Sequence, residues 1–155
     1  MTPVIIKIIA GFISTIGFAI LFRLKPAHWI LAGIDGLLAC VCYFAFTDIF
    51  GDAFLPNLLA SLVCAFGAEI FARLAKAPST VFLLPGIIAL VPGGSLYYSM
   101  SNLLNSNYVE AGHNLLLTAE VAIAIGGGII AASILRIIIF KVVDAIIGKF
   151  KKKNN

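Results

Sequence analysis

Charged side chains are scarce in this sequence. They make up 12% of 155 residues, while 61% are hydrophobic. A soluble domain is about a quarter charged and about half apolar, so that class is excluded as the default. Disorder is excluded by the same composition. Cysteine is rare and unpatterned. Cys40, Cys42 and Cys64 lie in apolar stretches, three is an odd number, and no C-x-x-C pair occurs. They read as small packing residues and give neither a disulfide frame nor a zinc site. There is no His/Cys/Asp cluster for a metal and no P-loop for a nucleotide, so no cofactor is expected. Catalytic groupings are missing too. Asp35 in Gly33-Ile34-Asp35-Gly36 has no aspartate partner, and Ser95 has no nearby histidine, since His28 and His113 sit at segment edges. An enzyme is therefore not expected. No segment alternates polar and apolar residues with period two, which disfavours a β-barrel.

What is present is a set of long apolar segments. A spanning helix takes roughly 20 residues, so the chain can hold about five or six. Five are legible: residues 3–22, 27–46, 54–74, 79–104 and 114–140. The first lacks a basic leader and a small-residue cleavage site before Arg23, so it reads as a span rather than a signal peptide. Lys7 lies about one turn inside it and can snorkel to the interface. The expected fold is an all-α polytopic membrane protein of about five transmembrane helices. Residues 1–141 form the membrane domain and 142–155 a basic tail.

The loops give an orientation. Arg23 and Lys25 occupy the first, Asp48 and Asp52 the second, Arg73 and Lys76 the third, and Glu110 the fourth. The tail adds Lys141, Lys149, Lys151, Lys152 and Lys153. Basic residues thus fall on alternate loops, which puts the C-terminus in the cytoplasm and the N-terminus outside. The net charge of +4 belongs to this topology and is not a nucleic-acid signal. Small residues recur four apart in three spans: Ala32, Gly36 and Cys40; Ala60, Cys64, Ala68 and Ala72; Ala124, Gly128 and Ala132, with Gly126 and Gly127 beside them. Such ridges let backbones approach, either within one chain or between two, so a homo-oligomer is one option.

Ionisable residues at membrane depth cost several kcal/mol and face a cavity or a partner. Asp35 lies near the middle of the second span on its small face, with Ala32 and Ala39 as neighbours. It reads either as a proton carrier or as a protonated carboxyl hydrogen-bonded to another helix. Glu69 has Arg73 at i+4, so an ion pair on one helix face stands beside a transport role. Glu120 shares a face with Ala124, Gly127 and Ala131, again the expected packed side. It is a second candidate for proton or substrate contact.

The fourth segment is interrupted. Pro85-Gly86 and Pro92-Gly93-Gly94 follow Pro78. Each proline removes an N–H and blocks the carbonyl four residues earlier. Two half-helices are expected, in a setting where protein or a water-filled cavity surrounds the irregular backbone. Ser95 is a suitable N-cap for a helix starting at Leu96. The free N–H groups there suit an anion such as a carboxylate. Pro85, Pro92, Gly93, Gly94, Ser95, Tyr97 and Tyr98 are the expected substrate-binding residues, with Ser99 adjacent.

These runs carry a resemblance. Ala68-Glu69-Ile70-Phe71-Ala72-Arg73, Lys76-Ala77-Pro78-Ser79-Thr80-Val81-Phe82-Leu83, Pro85-Gly86-Ile87-Ile88 and Leu90-Val91-Pro92-Gly93-Gly94-Ser95-Leu96-Tyr97-Tyr98 resemble the threonine/serine exporter family. The opening Ile16-Gly17-Phe18-Ala19-Ile20-Leu21-Phe22-Arg23 fits the same pattern. The chain looks like the short, five-span subunit of the two-chain form. The resemblance implies export of threonine, serine or a dicarboxylate such as succinate from the bacterial cytoplasm. It also implies a longer membrane subunit as partner, carrying the cytoplasmic domain that this chain lacks. The expected function is a subunit of a proton-coupled secondary exporter of small carboxylate-bearing metabolites. The alternative is a scaffold that stabilises a larger transport partner without transporting.

Overall fold

The computed structural model describes residues 2–153, with side chains described for residues 4–139 and for Lys141. Six α-helices follow one another: α1 (Thr2–Leu21), α2 (Trp29–Phe50), α3 (Phe54–Ala75), α4 (Thr80–Ile88), α5 (Gly93–Leu104) and α6 (Tyr108–Lys153). α1, α2, α3 and α6 are each long and apolar enough to cross a membrane, and α4 with α5 makes a fifth candidate bent by 50°. The chain is a multi-pass, all-helical membrane protein.

Helix ends follow local chemistry. α2 stops where Gly51 turns left-handed at φ 68°, and its N–H bonds back to the carbonyl of Thr47, a conformation that glycine adopts without strain. Asp52 then accepts a hydrogen bond from the N–H of Leu55 in the first turn of α3. α3 ends at Lys76, also left-handed. α6 starts at Tyr108, six residues before the expected start at Asn114, and stays helical through Lys153. The backbone therefore has no break between membrane segment and tail. The side chains of Lys149, Lys151, Lys152 and Lys153 lie outside the described residues.

Small residues set the packing. Ala32, Gly36 and Cys40 of α2, Ala60, Cys64, Ala68 and Ala72 of α3, and Ala124, Gly128 and Ala132 of α6 are all buried. The three ridges close on neighbouring helices of the same chain. A Cβ at Gly36 would run into Thr15 of α1, and one at Gly128 would meet the Ser61 hydroxyl and the Leu58 carbonyl of α3. Large apolar side chains such as Ile6, Ile30, Leu74 and Ile130 point outward, as a lipid-facing surface requires.

The register of α3 and α6 decides the path of the fourth segment. Gly128 meets Ser61 and Arg136 meets Glu69, so the two helices run in the same direction. The chain between them must return to the side on which α3 begins, so α4 and α5 together cross the bundle and do not turn back. α5 packs mainly on α6. Ser99 fastens it there by donating to the carbonyl of Ala111 at 2.9 Å.

Candidate functional site

Asp35 sits where α2, α3 and the broken segment meet. Its side chain is completely buried. Two glycines make room for it. A Cβ on Gly67 of α3 would collide with Oδ1, and one on Gly86 of α4 would lie 3.0 Å from Oδ2 and 2.8 Å from the sulfur of Cys64. The Cys64 thiol donates to Oδ2 at 3.5 Å, while Oδ1 has no hydrogen-bond partner among the described residues. Buried polar atoms are nearly always paired, so this carboxyl oxygen is an exception in the bundle. Pro85, also buried, sits inside α4 rather than ending it. The Pro85-Gly86 step thus brings a bare backbone up to the carboxyl, which a side chain there would prevent.

The chain actually breaks at 89–92. The N–H groups of Leu90 and Val91 bond three residues back, to Ile87 and Ile88, in tightened turns. Pro92 has no N–H to continue the ladder and stops it. α5 begins at Gly93 with Pro92 as its cap residue. This corrects the expected start at Leu96. Ser95 lies inside the first turn, not at the cap. Its hydroxyl donates to the carbonyl of Pro92 at 3.1 Å and is approached by the Thr118 hydroxyl of α6 at 2.9 Å.

A cavity of about 280 Å³ opens at this break. Pro92 and Ser95 line it together with Tyr43, Asn57, Leu117 and Val121. Asn57 is buried and donates to the carbonyl of Ala53 at 2.7 Å. Five of the expected substrate-binding residues are not at the cavity. Pro85 lies buried within α4 instead. Gly93 and Gly94 are exposed, with open space where a side chain would go. Tyr97 and Tyr98 are 68% and 59% exposed and stack edge-to-face on each other. The reason is the packing of α5 on α6: the hydrogen bonds of Ser95 with Thr118 and of Ser99 with Ala111 turn that face inward and leave the two tyrosines outside.

Glu69 and Glu120 complete the expected ionisable residues. Glu69 is ion-paired with Arg136 of α6 at 3.1 Å, in a half-buried setting. Glu120 is exposed, although it was expected on the packed side. Ala124 and Gly128 do face α3, but Glu120 falls beside that contact and, in the register of α3 and α6, just beyond the first residue of α3. Sequence reasoning passed over Tyr43, Asn57, Cys64 as a donor, and Arg136. Two signals were available. Asn57 is a lone amide early in an apolar segment, and Arg136 offers a charge opposite to Glu69 in another span.

The family described as "Threonine/Serine exporter, ThrE" matches residues 7–135. The threonine/serine exporter of Corynebacterium glutamicum is 24% identical over 124 residues, covering 80% of this chain and 25% of that protein. The chain therefore spans a quarter of that relative's length. No solved structure matches. The matched region runs from α1 into the second half of α6 and contains Asp35, Glu69 and both Pro-Gly steps. The chain belongs to the threonine/serine exporter family.

Proposed function

We propose that this chain is one subunit of a secondary exporter of small carboxylate-bearing metabolites in the bacterial cytoplasmic membrane. Threonine and serine are the first substrates to test, because the relative's name specifies them. Succinate is the dicarboxylate alternative. In this reading the N-terminus is outside and the basic C-terminus cytoplasmic, by the positive-inside pattern of the loops. A longer membrane subunit supplies the part of the transporter corresponding to the rest of the relative. The observation that carries the reading is the buried carboxyl of Asp35 with its unpartnered oxygen, held against the interrupted segment. A group so placed can couple proton uptake to movement of α4, because the approach of Gly86 to its Oδ2 changes when that helix shifts, while the Cys64 donor stays on α3. The cavity at 89–92 is the substrate site of this proposal, with Asn57, Ser95 and Tyr43 as its polar contacts.

The test is efflux of labelled threonine, serine and succinate from preloaded cells lacking their own exporters. This chain, a candidate longer subunit, and both together are compared, each with Asp35 or Asp35→Asn. Efflux with both chains, lost on Asp35→Asn while the complex still assembles, is the expected result. Efflux by the longer subunit alone, unchanged by adding this chain, would sink the proposal and leave a scaffold.

A further inference from the structure

A second cavity lies between α1, α2 and the inner side of the break. It measures about 390 Å³ and is lined by Lys7, Ser14, Cys40, Tyr43 and Phe44, with residues 88–90 of the broken segment as one wall. Tyr43, Ala89 and Leu90 line this cavity and the one at the break alike, so a single thin partition separates them. We propose that the second cavity is a binding subsite for the carboxylate of a small organic acid or amino acid, and that Lys7 is the cation that holds it.

The register of α1 and α2 fixes the depth of Lys7. Gly11 packs on Cys40 and Gly36 on Thr15, which brings Lys7 level with Phe44, more than one turn inside the end of α2 at Phe50. A lysine serving only as an interface anchor extends its stem toward the nearer end of its helix. Here the ammonium lies across the gap, 5.8 Å from the centre of the Phe44 ring, a cation–π contact that holds it at the cavity mouth. No carboxylate lines the cavity, and Lys7 has no ion pair among the described residues. Asp48, one turn beyond Phe44, is exposed and is not part of the lining. Lys7 is exposed and stands at the rim; a cation there with no counter-charge among the described residues, beside a serine and a tyrosine hydroxyl in the cavity wall, matches an anion with further hydrogen-bonding groups. The volume accommodates an amino acid or a four-carbon dicarboxylate, and both share the carboxylate that Lys7 would bind.

The inference deepens the exporter reading and rests on it for the choice of ligands. Its test does not require transport, because Cys40 is a native thiol in the cavity wall. The full chain, in membranes with its longer partner, is treated with a small methanethiosulfonate, and modification of Cys40 is followed by mass spectrometry. L-Threonine or succinate is expected to slow the modification at least about threefold in the unmodified chain and in Lys7→Arg. With Lys7→Gln the concentration needed for protection should rise about tenfold or more, the loss of one charge-assisted contact. Threonine amide, which lacks the carboxylate, should not protect. Protection by threonine alone or succinate alone identifies which acid the subsite takes. Equal protection in Lys7→Gln, equal protection by the amide, or a Cys40 that no carboxylate protects each overturns the subsite. So does a Cys40 that the reagent never reaches. Protection without efflux keeps the subsite and sinks the exporter reading. Efflux unchanged by Lys7→Gln, with no protection, sinks the subsite alone.

Discussion

Replacing Gly67 with alanine is the sharpest test of how Asp35 is held. In a helix interior a Gly→Ala change ordinarily stabilises by about 0.5–1 kcal/mol, because glycine loses more backbone freedom on folding. At Gly67 the added methyl meets Oδ1 of Asp35. The carboxyl has no open space to retreat into, with Gly86 and Cys64 against its other oxygen. Overpacking of this kind costs about 1–3 kcal/mol, so the net expectation is a loss of up to about 2.5 kcal/mol in place of the usual gain. Removing the obstruction should reverse the sign. In an Asp35→Ala background the methyl of Gly67→Ala enters vacated space, and only the helix-propensity gain of about 0.5–1 kcal/mol remains. The assay is reversible unfolding in detergent followed by circular dichroism, on the four proteins of the double-mutant cycle. A Gly67→Ala effect of equal size and sign in both backgrounds would refute the contact and, with it, the location of the carboxyl between α3 and α4.

Two further outcomes follow from the same geometry. Glu69→Gln should destabilise by about 1–2 kcal/mol, since it breaks a half-buried ion pair with Arg136. The exchange Glu69→Arg with Arg136→Glu should recover much of that loss in the same unfolding assay, and a double exchange no better than the worse single variant would count against the pair. Asn57→Ala should raise KM for efflux about threefold or more by removing a polar group from the cavity at the break. Tyr97→Ala and Tyr98→Ala should leave KM unchanged, because both rings are exposed away from it. A KM rise in the tyrosine variants and none in Asn57→Ala would place the substrate elsewhere.

Much of the architecture was readable in advance for physical reasons. In an apolar solvent every backbone group has to be paired within the segment, so length and hydropathy alone define the helices. The spacing of Ala60, Cys64, Ala68 and Ala72 likewise forecast a buried face. Asp35 could be singled out because a carboxyl among Ala32, Gly36 and Ala39 has no local partner. Site detail was less legible. Whether Ser95 caps a helix or lies within its first turn depends on one turn of backbone phase. That phase decides whether Tyr97 and Tyr98 face the cavity or the outside. It is set by the contact of Ser95 with Thr118 and of Ser99 with Ala111, which join residues distant in the chain.

The sequence by itself determined the class of protein, the number of apolar segments, the alternation of basic and acidic loops, and the presence of a break at a proline. These are properties of consecutive residues meeting water or lipid. Tertiary structure decided which ridge meets which, that Glu69 pairs with Arg136 across two helices, that Glu120 faces outward, and that Gly67 and Gly86 enclose the carboxyl of Asp35. Those depend on the register between helices. Register is fixed by where two surfaces lose the most void space and by where a backbone can approach within reach of a side chain, and neither is written in the periodicity of one helix.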